Sequence, residues 1–236
     1  MDRGAMDIQA SRLRIISLFE DLSDAQLAAI ARSCTTRVYK RHAQISEVND
    51  RTGDVFFILE GAVRANTVSV DGREVIYTDL GVGDIVGEFS AIDHQPRSSG
   101  MVATSDCLLA RMTTEKFHEL LHGNSSVAIH LIQLLVAKIR RMSERVFEVS
   151  ALAVRERVRR ELLRMAADGT KEGHGAVIHP APTHYEFAAR IGSHREAVTR
   201  ELNHLVSRGY VELGRRHVVI IDLTRFTNDL LPAQPV

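Results

Sequence analysis

The chain has 236 residues, with 30 Lys and Arg balanced by 30 Asp and Glu, so that its formal net charge is zero. This balance excludes a uniformly basic surface, although it permits a local basic patch, and the 44% hydrophobic content is typical of a globular protein. Cys34 and Cys107 are too few for an iron–sulfur cluster or a cysteine-rich zinc site. The sequence shows no signal-peptide core and no apolar run of about 18 residues, which predicts a cytoplasmic protein with no membrane partner.

A short helix and then a β-rich segment are predicted for the first half of the chain. Ser23 and Gln26 have the spacing of a capping box, so a helix should begin there. From about residue 38 to 112, segments rich in Val, Ile, Phe and Tyr alternate with turn residues such as Gly61 and Gly83. Strands at this spacing indicate a sandwich or barrel. The clearest strand segments are DVFFILEG, AVRANTVSV, EVIYTDL and CLLARM.

Two opposite charges stand out within this β-rich segment. The stretch GEFSAIDHQPRSSG, residues 87–100, places Glu88 and Arg97 nine residues apart between apolar segments. Fully extended, the stretch would separate them by roughly 30 Å, whereas a helical turn over 88–93 and a loop after it would bring them together. The pair forms either an internal ion pair or a pocket for a ligand that needs both charges.

A heptad stripe follows in the helical segment from about residue 114 to 163. Its apolar residues recur at alternating spacings of three and four, which is typical of a coiled-coil seam. The pattern favours a homodimer, and the alternative is packing within the chain, since Leu131 and Leu134 widen the stripe at its start. The seam residues are Ile132, Leu135, Ile139, Met142, Val146 and Val149.

A helix-turn-helix is predicted near the C-terminus, after a domain boundary at about residues 150–154. Thr183 with Glu186 and Ser193 with Glu196 give two capping boxes, with Gly192 between them for a tight turn. Arg and Glu on the second helix suit the edges of guanine and cytosine, while an ordinary helical hairpin with a solvated face is the alternative. That face carries His194, Arg195, Glu196, Thr199, Arg200 and Asn203.

A β-hairpin is predicted after this motif. The segment GYVELGRRHVVIID has two short β runs that flank Gly214, Arg215 and Arg216, in the manner of the wing of a winged helix. The two arginines could contact phosphate. Upstream of the motif, KEGHG and HPAP are predicted to be loops.

The order of these elements and two motifs resemble the superfamily of the cyclic-AMP receptor protein and the fumarate–nitrate regulator. The pattern GE…PRSS at 87–99 resembles the phosphate-binding cassette of cyclic-nucleotide domains, and REAVTR at 195–200 resembles the family's recognition-helix signature. The resemblance covers about residues 18–225 and implies an α+β fold. It implies a β-roll (jelly-roll) cyclic-nucleotide-binding domain at 18–124, a dimerisation helix and hinge at 125–152, and a winged helix-turn-helix DNA-binding domain at 153–236.

The resemblance also implies site residues. Arg97 would pair with the cyclic phosphate, Glu88 would accept from the ribose 2′-hydroxyl, and Ser98 would add a donor. The implied ligand-binding residues are Gly87, Glu88, Phe89, Ser90, Arg97, Ser98, Ser99, Met142 and Ser143. The implied DNA-binding residues are Ser193, His194, Arg195, Glu196, Thr199, Arg200, Arg215 and Arg216.

One position departs from the family pattern. Where the cyclic-AMP receptor protein has adjacent Thr and Ser that contact adenine, this chain has Met142 and Ser143, and Met142 cannot hydrogen-bond as Thr does. Ser98 after the cassette arginine is also compatible with guanine. Cyclic AMP is therefore the first expectation for the ligand, with cyclic GMP as the alternative.

The residue patterns and the resemblance together imply a homodimeric, cyclic-nucleotide-responsive transcription regulator that binds double-stranded DNA. The resemblance further implies a palindromic TGTGA-like operator and RNA polymerase as a partner. One alternative is a same-fold regulator of another signal, such as a haem-bound gas, and another is a cyclic-nucleotide-binding regulatory subunit of an enzyme. The chain has no G-x-S-x-G, P-loop or H-E-x-x-H motif, so we expect neither an enzyme nor a metal site.

Overall fold

The computed structural model describes residues 9–230. The chain divides into two units, Met1–Ile139 and Arg140–Val236. From residue 9 onward, the first unit has two short 3-10 turns and then a helix whose Ser23–Gln26 capping box is present as predicted. Its elements are Ala10–Ile15 and Ser17–Phe19 (3-10 turns), α1 Asp24–Arg32, β1 Cys34–Tyr39, β2 Gln44–Ser46, β3 Val55–Glu60, β4 Val63–Val68, β5 Glu74–Leu80, β6 Ile85–Val86, α2 Glu88–Asp93, β7 Gly100–Ala103, β8 Cys107–Met112 and α3 Thr114–Gly123.

Two four-stranded antiparallel sheets form the β-roll of the first unit, with strand orders β1-β8-β3-β6 and β2-β7-β4-β5. Strand β3 explains the unbroken apolar run VFFIL in the sequence. Because side chains alternate between the two faces of a strand, Phe57 and its alternate neighbours enter the core beneath the helices. Phe56 and Ile58 point the other way, into the core of the roll. A strand that is buried on both faces must be apolar throughout.

The long helix α4, Ser125–Ala151, continues from the first unit into the second. Leu131 is buried in the core of the first unit, and Leu134 and Leu135 pack against that core. Leu135 therefore has an intrachain role as well as its predicted seam position. The other five seam residues are each more than half exposed: Ile132, Ile139, Met142, Val146 and Val149.

No single helix within residues 9–230 is long and apolar enough to cross a membrane. Helices α3 and α4 meet that criterion of length and composition only when they are taken together, and they are bent by 111° where they meet.

The second unit has a helical core and a four-stranded antiparallel sheet in the order β11-β12-β10-β9. The segment KEGHG, predicted to be a loop, instead lies in the hairpin of β9 and β10, because pairing of β10 with the distant β12 makes it part of the sheet. The elements are α5 Val154–Ala167, β9 Thr170–Glu172, β10 Gly175–Ile178, α6 His184–Ile191, α7 Arg195–Ser207, β11 Val211–Gly214, β12 His217–Ile220 and α8 Leu223–Leu230.

The helix-turn-helix is formed by α6 and α7. The Thr183–Glu186 capping box is present, and Gly192 ends α6 in the left-handed conformation with φ of 60°. The predicted Ser193 capping box is wrong, since His194 is the N-cap of α7 and makes no side-chain capping bond. The Ser193 amide donates to the Ala188 carbonyl at 3.0 Å, so Ser193 closes α6 rather than opening α7.

A buried ionic cluster ties the end of α4 to the helix-turn-helix within the second unit. The Glu161 carboxylate on α5 lies 2.9 Å from Arg145 of α4, 2.5 Å from Arg164 and 3.8 Å from Arg190 of α6. Arg164 also binds Glu148. Arg145 donates to the Arg190 carbonyl at 3.2 Å, which serves one of the backbone groups that a helix end leaves unpaired.

Candidate ligand pocket and nucleic-acid interface

The corner between β6 and α2 is built around Gly87. This residue has φ of 92°, a left-handed conformation that favours glycine. A Cβ at this position would lie 2.6 Å from Arg97 Nη1 and 2.6 Å from the Asp54 carbonyl oxygen. Gly87 therefore allows the backbone to touch the guanidinium, and the predicted helix starts directly after it at Glu88.

The Arg97 guanidinium is 3% exposed and is held by neutral groups. It donates from Nη1 to the Gly87 carbonyl at 2.9 Å, from Nη2 to the Asp54 carbonyl at 2.6 Å, and from Nε to the Thr52 hydroxyl at 3.3 Å. Burial lowers the pKa of Arg97, and the nearby carboxylates of Asp54, Asp50 and Glu88 oppose that shift.

The charge of Arg97 has no close partner among residues 9–230. No carboxylate oxygen of the described chain lies within 4.0 Å of its guanidinium nitrogens. The nearby Asp54 carboxylate instead binds Arg111 at 2.7 Å. Three of the five guanidinium N–H groups are used, so two remain for an oxygen-bearing anion.

Glu88 lies at the start of α2 and is also 3% exposed. Its carboxylate lies 2.6 Å from Lys138 Nζ on α4, and the same ammonium lies 5.6 Å from the centre of the Phe89 ring. Lys138 was not among the residues predicted to bind the ligand, so the sequence prediction missed this contact. A signal was present, because Lys138 precedes the predicted contact Met142 by four residues and so shares its helix face.

The other predicted ligand residues differ in exposure. Ser90 is buried on α2, Phe89 is partly exposed, Ser98 is exposed and Ser99 is half-buried. Met142 and Ser143 are exposed and belong to the second unit. Their contact with a nucleotide base stays a prediction.

The predicted DNA-reading face lies on α7. Arg195, Glu196, Thr199, Arg200 and Asn203 together line a shallow concave surface. Three of the predicted readers, Arg195, Glu196 and Arg200, are exposed. Ser193 and His194 lie in the turn before the helix, and their contact with DNA stays a prediction. The face thus offers both guanidinium donors and a carboxylate acceptor to a base edge.

The predicted wing is present as the β11–β12 hairpin. Gly214 pairs with His217, and Arg215 and Arg216 form the exposed turn between them. Arg216 has φ of 62°, and its carbonyl accepts from the Ala181 amide at 2.8 Å. The turn is therefore anchored to the segment before α6 while both guanidinium groups stay available to solvent.

No group of three or more His, Cys, Asp or Glu in the described part of the chain is arranged to hold a metal ion.

Comparisons with known proteins agree with this architecture. The cyclic nucleotide-binding domain family matches residues 36–124, and the Crp-like helix-turn-helix domain family matches residues 156–228. A CRP-like cAMP-activated global transcriptional regulator of Mycobacterium tuberculosis is 24% identical over 209 residues, which cover 88% of this chain and 93% of the relative. The cAMP-activated global transcriptional regulator Vfr of Pseudomonas aeruginosa is 29% identical and covers 79% of this chain and 89% of its own.

A solved structure with the same fold has a different stated ligand. The c-di-GMP responsive global regulator CLP of Xanthomonas campestris superposes with a TM-score of 0.73 at 19% identity, covering 84% of this chain and 99% of that one. At this identity the similarity shows the fold alone.

Proposed function

Because the chain belongs to the Crp/Fnr superfamily of transcription regulators, we propose that it is a homodimer whose DNA binding is controlled by a cyclic nucleotide. The proposed nucleotide is cyclic AMP, and cyclic GMP is the alternative. In this proposal residues 18–124 bind the nucleotide, 125–152 form the dimer helix and hinge, and 153–236 bind DNA. Such a regulator would act in the cytoplasm, and RNA polymerase is proposed as its further partner.

The observation that carries the proposal is the buried Arg97 guanidinium without a carboxylate partner. Leaving a charge in a buried position is unfavourable unless an opposite charge arrives. A cyclic phosphate supplies one negative charge and oxygen acceptors that match the two unused N–H groups. Arg97 is fixed at Gly87 and Asp54 by carbonyl contacts, so it needs little reorganisation to bind.

Glu88 suits the ribose half of the same ligand. Lys138 occupies one acceptor position of the carboxylate, and an ionised carboxylate has about four such positions. The remaining positions can accept from a ribose hydroxyl, and Lys138 keeps the buried charge neutralised. We therefore add Lys138 to the proposed ligand-binding residues, where it joins the ligand pocket to the long helix. Phe89, Ser90, Ser98 and Ser99 complete the proposed cassette.

The exposed stripe on α4 supports the proposed dimer. Five apolar side chains at heptad spacing are more than half exposed in one chain, and a second copy of α4 would cover them. A two-fold dimer would place its two α7 helices about 34 Å apart on DNA. The operator should therefore be a palindrome, and a TGTGA-like half-site is the proposal for its sequence. Arg195, Glu196 and Arg200 would read bases, with Arg215 and Arg216 on phosphates.

Calorimetry with cyclic AMP and cyclic GMP tests the ligand. We expect Arg97→Ala and Arg97→Lys to weaken binding, the alanine variant by about 100-fold or more, because each removes the guanidinium donors for the phosphate. Arg73→Ala is the matched control, since this arginine is exposed and pairs with Asp71. Equal nucleotide affinity in wild type and both Arg97 variants, or no binding of either nucleotide by the wild type, would refute the proposal.

An electrophoretic mobility-shift assay on randomised DNA duplexes then tests whether the nucleotide controls DNA binding. DNA binding should depend on the nucleotide, and selected sites should have two-fold symmetry. Binding that is indifferent to both nucleotides would contradict the switch, and asymmetric sites would contradict the dimer.

A further inference from the structure

A side-chain hydrogen bond joins the two helices of the helix-turn-helix. His184 is the first residue of α6, and its Nδ1 lies 2.7 Å from the Thr199 hydroxyl oxygen on α7. The same hydroxyl lies 2.9 Å from the Arg195 carbonyl oxygen one turn earlier. Both His184 and Thr199 are half-buried, so the hydroxyl is held at two points within the protein.

The positions of the protons follow from these two distances. A threonine hydroxyl has one proton and two lone pairs. Two oxygens at 2.9 Å need a proton between them, so the Thr199 hydroxyl donates to the Arg195 carbonyl. His184 must then carry its proton on Nδ1 and donate to Thr199. One lone pair and the methyl group of Thr199 remain for an external partner.

We propose that His184 is a positioning residue for base recognition: it fixes Thr199 as a hydrogen-bond acceptor, so that Thr199 selects an exocyclic amino group at one base pair. The amino groups in the major groove are adenine N6 and cytosine N4, whereas guanine and thymine present acceptor oxygens that repel a lone pair. Thr199 lines the same concave surface as Arg195, Glu196 and Arg200, which places it among the proposed readers. The inference rests on the proposed DNA binding through α7.

Selection on randomised duplexes with the nucleotide present tests the inference in the full-length protein. Thr199→Val keeps the shape but removes the acceptor, and His184→Leu removes the donor. Both substitutions should reduce the sequence preference at one base pair by about two- to ten-fold, which corresponds to the net free energy of one hydrogen bond. His184→Asn should retain that preference, because the asparagine amide can place an N–H near the position of Nδ1. His174→Leu, at an exposed histidine in the β9–β10 turn, is the control.

The outcomes separate this inference from the proposed function. If the wild-type protein selects no DNA sequence, the proposed function fails. If the wild type selects a site but Thr199→Val and His184→Leu weaken all sequences alike, or change nothing, only the role of His184 and Thr199 is refuted. Thermal melts of each variant identify any loss of folding, and Thr199→Val then decides the result alone, since it preserves side-chain volume.

Discussion

Replacing Lys138 with Met should leave the Glu88 carboxylate buried without its cation. Methionine keeps the unbranched apolar stem of the side chain, so the change removes mainly the charge. Removal of one partner of a buried ion pair destabilises a protein by about 3–5 kcal/mol. The full range applies only to a deeply buried pair, and Glu88 is 3% exposed whereas the Lys138 side chain is 18% exposed. We therefore expect a loss near the lower end, about 3 kcal/mol at pH 7.

Urea denaturation of both proteins at pH 7, followed by circular dichroism, measures the effect. Lys116→Met is the control, because Lys116 and Glu119 form an exposed pair that should contribute less than about 1 kcal/mol. The double variant Glu88→Gln with Lys138→Met should recover most of the lost stability. A loss equal to that of the control would refute the reasoning that the Glu88 charge is buried and needs its partner.

Three further predictions concern assembly, DNA binding and pH. Ile139→Asp should dissociate the dimer in analytical ultracentrifugation, whereas Val38→Asp, at an exposed apolar residue outside the seam, should not. An Ile139→Asp variant that stays dimeric would contradict the predicted dimer seam. Arg215→Ala should weaken binding to all DNA duplexes alike and should reduce the slope of log binding constant against log salt concentration by about one. A loss of affinity limited to particular sequences would contradict a phosphate contact. Burial and then Arg195 lower the pKa of His184, so folding favours its neutral form and stability should fall as pH drops below 6.5. His184→Gln should lose less stability than wild type in thermal melts between pH 7 and 5, and identical losses would contradict this assignment.

Features that depend on neighbouring residues could be predicted from the sequence. The Ser23 and Thr183 capping boxes, the left-handed Gly192 and the wing turn at Arg215 all depend on signals within a few residues. The helix start at Glu88 is of the same kind, because Gly87 before it permits the positive φ. Local backbone preferences are strong enough to fix such features wherever the rest of the fold agrees with them.

Features that depend on distant partners could not be predicted in the same way. The Arg97 bonds to Asp54 and Thr52 span 43 and 45 residues, and the Lys138–Glu88 contact spans 50. No periodicity encodes such pairs. The Ser193 capping box failed for a different, local reason, because the Ser193 amide donates to the Ala188 carbonyl and so ends the preceding helix.

The ionic cluster around Glu161 determines how this protein can be recombined with its relatives. A chimera joined at the break between α4 and α5 would take Glu161 and Arg190 from one parent and Arg145 from the other. A parent without the matching charge would leave a buried ion uncompensated, which is more harmful than replacing the whole set by apolar side chains. The fusion junction for exchanging DNA-binding domains should therefore lie before Arg145, inside the long helix, so that every charged residue of the ionic cluster comes from the same parent.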